Sequence, residues 1–379
     1  MELASLNAYL EELRRSDVII YGAGSKGKQA LELLRRYGVE PTAVCDSDKN
    51  KWGSDFGGLR IDCYEEVRPR LTGNVFVLLT VSNGFVREVK HSRPWGRDIV
   101  KQLCIPFKVE VDLLSDEDMA SCRMELEESY SSLADDISRQ IFVETVAYKV
   151  TGDYLPLFDY LERTEPNLGF FDTELLPKRS DHVYVDVGAF TGDSLLSFAM
   201  AVRGSYQKIV AFEGDKGIYE SLCDMLLYAR LPRVSTVNKL LHSGLEEMNW
   251  YTVANNKNIL FDSSNLYEKA EVIFSSGESM SHGPVVFGTE KVYTDTLDNC
   301  LQVSPTVLKV NAMAADFDIL RGGRETIGRC KPMLCLEFGV RKQDVGKLIP
   351  LIKDMNPDYR FYLRVKEIYG DFKTVLYAV

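Results

Sequence analysis

The segment 184–194, YVDVGAFTGDS, constrains the fold more than any other part of the sequence. Three β-branched valines alternate through 183–187, which is typical of a strand buried on both faces of a sheet. Gly188 and Gly192 bracket the residues that follow, and a missing Cβ lets the backbone bend sharply and approach a ligand there. Asp193–Ser194 can then cap a helix, so the segment predicts a strand, a tight turn and a helix start.

A second strand ends in an acid further along the chain. It is the segment 209–215, IVAFEGD, in which Glu213 closes the strand. A carboxylate at this position suits the two hydroxyls of a ribose, so the two segments together predict a site for an adenosine-type cofactor. The spacing Asp-x-Gly-x-x-x-Gly from Asp186 to Gly192, without a third glycine, favours S-adenosylmethionine (SAM) over a dinucleotide.

The composition excludes several classes of protein. With 379 residues, of which 45% are hydrophobic and 27% charged, the chain is typical of a soluble globular protein with two domains. Its longest apolar runs fall short of the roughly 18 residues of a membrane helix. The amphipathic N-terminus is not that of a signal peptide, and a net charge of −11 argues against nucleic-acid binding.

Cysteine and histidine are both dispersed along the chain. The eight cysteines show no C-x-x-C spacing, which favours reduced core cysteines in a cytoplasmic protein. Together with the four histidines, they never recur at the spacing of a zinc finger or a zinc hydrolase, so no metal site is expected.

A second glycine-rich turn lies near the N-terminus. Gly22, Gly24 and Gly27 directly follow the apolar segment 18–21, and Asp46 comes nineteen residues after Gly27. This order of strand, turn, helix, strand and acid predicts a small Rossmann-like domain. Its turn is either a nucleotide or sugar-nucleotide site or a turn kept for packing, and the residues do not decide between the two.

The patterns divide the chain into three parts. We expect a Rossmann-like domain over 1–112, a helical connector over 113–167 and a second α/β domain over 168–379. The strands predicted in the third part are 183–187, 208–212, 234–237, 306–311, 332–337 and 372–378. The helices predicted between them are 193–203, 217–228, 314–328 and 343–355. This alternation implies a mostly parallel sheet covered on both faces.

Three further segments carry expectations of their own. Residues 96–104 are expected to be helical. The segment 250–291 is rich in Asn, Ser and Gly and is expected to form a lid or substrate loop. Residues 359–379 are expected to form an antiparallel hairpin.

The second half of the chain resembles the FkbM-type SAM-dependent methyltransferases, over roughly residues 128–379. The matching pieces are LADDISRQIF, YVDVGAFTGDS, AFEGD, TDTLDNCL, VLKVNAMAADFDILRGG, KPMLCLEF, NPDYRFYLR and TVLYAV, in the family's order. The resemblance implies a class I methyltransferase fold, which is a mostly parallel Rossmann-like sheet with a C-terminal antiparallel hairpin. The first hundred residues look like the Rossmann-like nucleotide-sugar domains found ahead of some glycan-modifying enzymes.

The resemblance also implies which residues bind SAM. They are Asp186, Gly188, Ala189, Phe190, Thr191, Gly192, Asp193, Glu213, Gly214 and Asp215. Within this set, 189–191 would back the methionine portion and Glu213 would bind the ribose hydroxyls. The segment 238–242, NKLLH, would line the adenine, and Lys309 would lie beside the substrate opening.

Part of the family pattern is missing from this chain. The family typically shows Lys-x-Asp/Asn-x-Glu-Gly-Ala-Glu, whereas Met313 and Ala314 stand here in place of the Glu-Gly pair. Either the substrate differs, or catalysis is weakened or lost.

Methylation of a hydroxyl needs a base within hydrogen-bond reach. Asp316, His242, His282 and Asp295 are candidates, and the sequence does not single one out. Lys309 and Asp316 are the predicted catalytic residues, although Lys309 either orients a substrate or pairs with a nearby acid.

These patterns lead to one hypothesis and two alternatives. We expect a cytoplasmic SAM-dependent O-methyltransferase whose acceptor is a sugar, glycan precursor or similar hydroxylated small molecule. If the front turn is a nucleotide site, the front domain would help to hold a sugar nucleotide. Met313 and Ala314 favour instead a non-catalytic scaffold that binds SAM or a nucleotide. An NAD-linked oxidoreductase built on 22–27 is disfavoured, because no hydride-transfer residues accompany that turn.

Overall fold

The structure, a computed structural model, describes residues 4–81, 89, 95, 98–102, 113–161, 168–253, 257–261, 286–312, 315–340, 344–368 and 371–379. These residues form two compact units. The first unit takes in the described residues up to 123 together with 143–161. The second takes in 124–142 and the described residues from 168 onward. Among the helices of these ranges, none has the length and hydrophobicity to span a membrane.

The helices are, in chain order, α1 Leu6–Arg14, α2 Ser25–Arg36, α3 Tyr64–Val67, α4 Asp116–Ser121, α5 Arg123–Ser132, α6 Asp136–Thr151, α7 Leu155–Leu161, α8 Asp193–Ala201, α9 Lys216–Ala229, α10 Leu297–Cys300, α11 Asp316–Gly322, α12 Arg324–Cys330 and α13 Asp344–Met355. Two short 3-10 helices are Lys49–Lys51 and Arg68–Arg70.

The strands are β1 Asp17–Tyr21, β2 Ala43–Cys45, β3 Asp55–Phe56, β4 Leu59–Asp62, β5 Val75–Leu79, β6 Ile99–Gln102, β7 Val183–Val187, β8 Lys208–Glu213, β9 Val234–Asn238, β10 Leu240–Leu241, β11 Glu247–Val253, β12 Lys257–Phe261, β13 Val286–Asp295, β14 Val307–Val310, β15 Met333–Phe338, β16 Phe361–Ile368 and β17 Asp371–Ala378.

The division of the chain at 112 and 167 stays a prediction. The helices of 113–161 contribute to both units, because α5 belongs mainly to the second unit and α7 to the first. The helix α6 begins in the second unit and ends in the first.

The first unit contains a six-stranded sheet in the order β3-β4-β2-β1-β5-β6. Strand β1 pairs in parallel with β2 and β5, and only the β3–β4 pair is antiparallel. All five residues of β5 are buried, which is typical of a strand covered on both faces. This is the Rossmann-like arrangement that the front turn predicts.

The predicted helix at 96–104 is wrong, because Ile99–Gln102 forms strand β6. It pairs in parallel with β5, with Ile99 opposite Phe76 and Gln102 opposite Leu79. Because β5 is buried, its backbone groups need hydrogen-bond partners on both edges; β1 supplies one edge and β6 supplies the other. The β-branched residues Ile99 and Val100 favour a strand at this position.

The second unit contains a seven-stranded sheet in the order β16-β17-β15-β14-β7-β8-β9. The five strands from β15 to β9 run in parallel. Strand β17 is antiparallel to both β15 and β16, as the predicted hairpin requires. The α/β class with a mostly parallel sheet is thereby confirmed, and β7 lies between β14 and β8 with the carboxyl ends of all three at one edge.

The predicted helix at 314–328 is two helices in the structure. It breaks between α11 and α12, at Gly323. The preceding Gly322 lies so close to His242 that a Cβ would be 2.1 Å from the His242 carbonyl oxygen.

A smaller four-stranded sheet, in the order β10-β13-β11-β12, includes parts of the segment predicted to form a lid or substrate loop. Strand β11 pairs antiparallel with both β12 and β13. Residues 250–253, 257–261 and 286–291 are thus strands, whereas 254–256 and 262–285 lie outside the described residues, and the role of the segment as a lid or substrate loop stays a prediction.

Close backbone packing holds the turn between β1 and α2. A Cβ on Gly27 would lie 2.1 Å from the carbonyl oxygen of Gly22, whereas a Cβ on Gly24 would meet nothing within 4 Å. The hydroxyl of Thr80 donates to the same Gly22 carbonyl at 2.8 Å. The turn therefore needs glycine at 27 for packing, independently of any ligand.

We expect Gly27→Ala to lower the free energy of unfolding by about 1–3 kcal/mol, because the added methyl group overpacks the turn. Helix propensity alone would predict the opposite sign, since alanine is favoured over glycine inside a helix by about 1 kcal/mol. Urea unfolding followed by circular dichroism measures the difference. Gly24→Ala is the matched control, and equal stability of the two variants would contradict the packing argument.

Candidate functional site

The turn after β7 is held by its neighbours on both sides. Gly188 adopts φ +74°, a left-handed conformation that glycine tolerates. A Cβ on Gly188 would lie 2.2 Å from the carbonyl oxygen of Asn311, which directly follows β14. On the other side, the N–H groups of Gly188 and Ala189 both donate to the carbonyl of Phe212 in β8, each at 3.0 Å. The turn is thus fixed between two strands.

Phe190 holds a strained position in this turn. Its φ of +49° is rare for a bulky side chain, and such outliers concentrate at functional sites. Its N–H donates to Oε2 of Glu213 at 2.9 Å, and the residue is 53% exposed. Ala189 before it is fully buried, and Thr191 after it is half-buried.

Glu213 is a half-buried carboxylate at the end of β8. Besides the Phe190 N–H on Oε2, its Oε1 accepts the N–H of Asp215 at 2.9 Å. Within the described ranges, no salt bridge joins a lysine or arginine to Glu213, and burial raises the pKa of its carboxyl. A carboxylate oxygen has two lone pairs, so both oxygens can still accept from hydroxyl groups.

The residues expected to flank the adenosine lie together beside Glu213. The side-chain amide of Asn238 donates to the carbonyls of Glu213 and Gly214, at 2.8 and 3.2 Å. Gly214 packs against Leu240, so closely that a Cβ would lie 2.2 Å from the Leu240 Cδ2. Asp215 caps the start of α9 with its side chain.

Asp186 and Lys309 form a buried ion pair beneath the turn. They are 0% and 2% exposed, and Nζ of Lys309 lies 2.8 Å from Oδ1 of Asp186. The same ammonium donates to the carbonyl of Gly188 at 2.7 Å. The hydroxyls of Tyr184 and Ser194 donate to Oδ2 of Asp186. Of the two alternatives for Lys309, pairing with a nearby acid is the one this geometry favours.

Asp193 follows the turn as the first residue of α8. Gly192 before it adopts φ +90°, and a Cβ there would lie 1.9 Å from Cε of Met225. Oδ1 of Asp193 is buried and accepts no hydrogen bond within the described part of the chain. Burial raises the pKa of Asp193 by more than the charge of Lys309 lowers it.

Two of the candidate bases, Asp316 and His242, lie at helix α11. Oδ1 of Asp316 accepts the N–H of Ala312 at 2.8 Å, which ties that loop to α11. Nε2 of His242 lies 3.4 Å from Oδ2 of Asp318, and the His242 side chain keeps 14% of its surface exposed. A carboxylate that orients an imidazole is the arrangement of a general base. The sequence reasoning missed Asp318, because its partner lies on a distant part of the chain.

Asp295 is engaged by its own surroundings. It accepts the N–H of Thr296 at 2.8 Å and the side-chain amide of Asn299 at 3.2 Å, and Nζ of Lys239 lies 3.6 Å away. The N-cap of α10 is Thr296, whose hydroxyl accepts the N–H of Asn299 at 3.1 Å, and Asp295 supports this helix start from the residue before it. Three predicted positions, His282, Met313 and Ala314, lie outside the described residues. The described residues include no group of three or more His, Cys, Asp or Glu side chains placed to hold a metal ion.

The acid of the front turn is saturated by the protein itself. Asp46 accepts the N–H groups of Ala23 and Asp48 at 2.7 and 2.9 Å, and the ammonium of Lys51 lies 2.8 Å from its Oδ2. Burial alone would raise the pKa of Asp46, but the Lys51 ammonium and the two N–H groups bring it below its ordinary value. The front turn and Asp46 therefore lie together, with the ammonium of Lys51 on the carboxylate, and the nucleotide site at Gly22, Gly24, Gly27 and Asp46 stays a prediction.

The strand order of the second unit, with its glycine turn and acid at the carboxyl ends of β7 and β8, defines a methyltransferase-type Rossmann-like fold. Residues 186–364 match the family model described as the Methyltransferase FkbM domain. The chain therefore contains an FkbM methyltransferase domain, and the resemblance seen in the sequence is confirmed over this range. No curated protein is similar enough in sequence to count as a match.

Three solved structures are similar to this chain to different degrees. Methyltransferase FkbM from Methylobacillus flagellatus KT matches over 100% of this chain and 94% of its own, with a TM-score of 0.65 and 17% identity. Precorrin-6y C5,15-methyltransferase from Geobacter metallireducens GS-15 matches over 55% and 84%, with a TM-score of 0.32 and 12% identity. A SAM dependent methyltransferase from Aquifex aeolicus matches over 58% and 96%, with a TM-score of 0.29 and 12% identity. At this level of identity, the first of these matches establishes a common fold.

We expect Lys309→Met to lower the free energy of unfolding by about 3–5 kcal/mol, because it leaves the charge of Asp186 buried without a partner. Asp186→Asn should destabilise the protein for the complementary reason. The free energy of unfolding of the double variant should fall by less than the sum of the two single decreases, because neither charge is left buried without a partner.

Urea unfolding of the unmodified protein, the two single variants and the double variant measures this coupling. Lys353→Met is the control, because Lys353 pairs with Glu128 at the surface and should change stability by less than about 1 kcal/mol. Additive losses in the double variant would show that the pair is not coupled.

The raised pKa of Glu213 predicts a pH dependence. The folded protein holds a proton at Glu213 more tightly than the unfolded chain does, because the folded pKa lies above the ordinary value of 4.5. The contribution of this group to stability is therefore present at low pH and is lost as pH rises through the folded pKa. Relative to the unmodified protein, Glu213→Gln should thus gain stability as the pH rises above the ordinary Glu pKa of 4.5. Urea unfolding across this range measures the trend, and a flat difference would contradict it.

Proposed function

We propose that the second unit is a SAM-dependent O-methyltransferase, and that its acceptor is a sugar, a glycan precursor or a similar hydroxylated small molecule. The observation that carries this proposal is the Glu213 carboxylate. It is half-buried, it is braced by two main-chain N–H groups at the carboxyl end of β8, and it lies beside a strained glycine turn. An acid in this position suits a ribose, and the FkbM domain supports methyl transfer.

The residues of the turn fit SAM. When bound, SAM supplies a sulfonium methyl group ready for displacement by a nucleophile. Glu213 would accept hydrogen bonds from the ribose hydroxyls, and Gly214 with Asn238 would border the base. The exposed ring of Phe190 would cover the ligand at the turn, where it excludes water from the reacting groups.

The chain's own groups divide the remaining tasks. Lys309 would act as a positioning residue, because its ammonium holds the Gly188 carbonyl and Asp186 rather than a substrate. Asp316 would fix the loop after β14. His242, oriented by Asp318, would take the proton from the acceptor hydroxyl. Once an acceptor is known, His242→Gln should lower kcat and leave SAM affinity unchanged.

The front unit and the compartment remain parts of the same proposal. A sugar nucleotide at the front turn would have to displace Lys51 from Asp46 before its hydroxyls could bind this carboxylate. The geometry therefore favours the alternative in which the turn of Gly22, Gly24 and Gly27 is kept for packing. Seven free cysteines among the described residues support a reducing compartment such as the cytoplasm.

Calorimetric titration with SAM and with S-adenosylhomocysteine tests the cofactor. Glu213→Gln should weaken both ligands roughly ten- to hundredfold, because a hydrogen bond to a charged group is lost. Glu220→Gln is the control, because Glu220 is exposed on α9. This variant should bind both ligands like the unmodified protein. Methyl transfer from labelled SAM to a panel of sugars and sugar nucleotides then tests the acceptor class.

Absence of binding in the unmodified protein would contradict the proposed cofactor. Binding without transfer to any acceptor would favour the scaffold alternative. Equal weakening in the Glu213 and Glu220 variants would remove the special role of Glu213.

A further inference from the structure

A charged pair that the proposed function does not use lies at the carboxyl end of β15. Nζ of Lys373 is 2.5 Å from Oε2 of Glu337, and the two side chains are 22% and 16% exposed. Glu337 is the penultimate residue of β15, and Lys373 lies on the neighbouring strand β17. Open α/β sheets bind their ligands outside the carboxyl ends of the strands, so the pair lies at the edge where an acceptor is expected.

The pair is also close to the glycine turn after β7. Strand β15 is the second strand from β7 in the sheet, and β14 lies between them. Because neighbouring strands are about 4.8 Å apart, the main chain of Glu337 is roughly 10 Å across the sheet from the end of β7. One small acceptor that lies across β14 can therefore contact the pair and approach the turn.

Both members of the pair keep unused hydrogen-bonding capacity. Toward the described residues, the Lys373 ammonium donates one hydrogen bond although it has three N–H groups, and Oε1 of Glu337 accepts none. Oε1 is also open to solvent, because the shielded side-chain atoms without a partner in the described ranges are Asp193 Oδ1 and the Tyr377 hydroxyl. A ligand can thus reach one free acceptor and two free donors side by side.

A structural role does not account for the lysine of this pair. Lys373 stands directly opposite Lys366 in the β16–β17 ladder, and like charges that face each other across two strands are destabilising. Lys366 is buried and has its own partner, Asp172, at 2.8 Å. The Glu337 carboxylate offsets the charge of Lys373, but an apolar residue at 373 would avoid the repulsion altogether.

Resting on the proposed function, we propose that Glu337 and Lys373 form a subsite for the acceptor and bind a vicinal diol of a neutral sugar. One hydroxyl donates to Oε1 of Glu337, and its neighbour accepts from the Lys373 ammonium. The two lysines at this edge are balanced by Asp172 and Glu337, so a phosphate or carboxylate gains no net attraction here. A diol matches both free groups without bringing a charge.

The experiment titrates sugars into the full chain loaded with S-adenosylhomocysteine and follows binding by saturation-transfer NMR. The probes are the methyl glycosides of glucose, galactose and mannose, their monodeoxy analogues, glucuronic acid and glucose 6-phosphate. We expect at least one neutral glycoside to bind. Loss of either hydroxyl of the bound diol should weaken this glycoside, and Glu337→Gln or Lys373→Met should each weaken it about tenfold or more, because a hydrogen bond to a charged group is lost. Neither variant should change the affinity for S-adenosylhomocysteine.

Two further variants serve as references. Asp358→Asn removes the acid of the ion pair with Lys331, which lies just before the other end of β15, and should leave every affinity unchanged. Lys373→Arg keeps the charge and the N–H donors and should retain glycoside binding. The Tm of each variant shows whether it folds, and the two members of the pair are tested independently of each other.

Three results would overturn the assignment. They are no binding of any neutral glycoside to the loaded protein, unchanged glycoside affinity in Glu337→Gln and Lys373→Met, and tighter binding of glucuronic acid or glucose 6-phosphate than of the neutral glycosides. Failure of the proposed function looks different, because the unmodified protein would then not bind S-adenosylhomocysteine.

Discussion

The buried pair of Asp186 and Lys309 is the interaction on which the geometry of the second unit depends. Taking two charges out of water costs several kcal/mol per ion, so the interior must supply partners for both. It does so with the hydroxyls of Tyr184 and Ser194 and with the carbonyl of Gly188. The ammonium thereby joins β14, β7 and the turn, and the position of the turn follows from the packing of the sheet beneath it.

The two glycine turns at the ends of β1 and β7 are held by the same pattern of main-chain hydrogen bonds to an acid. They differ in whether a lysine pairs with that acid. In each, the acid that closes the next strand accepts an N–H from the turn, Ala23 to Asp46 in one and Phe190 to Glu213 in the other. Each acid also accepts the N–H two residues further on. Lys51 neutralises Asp46, whereas no lysine or arginine of the described residues forms a salt bridge with Glu213, and the charge of Lys309 acts on it only from a distance. This difference supports the proposal that the second turn, rather than the first, binds a ligand that brings hydroxyl donors or positive charge.

The sequence predicted the parts of this protein that local chemistry determines. The valines of β7 and the two glycines after it form a pattern whose physical causes act within one strand and its turn. Glu213 at the end of β8 is likewise a feature of one strand end. Strand β6 was mistaken for a helix because its pairing with β5 is a long-range contact that no local pattern reports. For the same reason, the sequence left the role of Lys309 open and missed Asp318, since their partners lie far away along the chain.

The place of β17 in its sheet has a consequence for how the protein is made. Residues 371–378 lie between β15 and β16, although they come after both in the sequence. On the ribosome, β16 thus emerges before the strand that must separate it from β15. The seven-stranded sheet can close only after synthesis has passed 378, whereas every strand of the first unit's sheet has been made by residue 102. The pairing of β15 on this side must therefore wait for a strand that is made later than β16, and until then that edge of β15 lacks its partner strand.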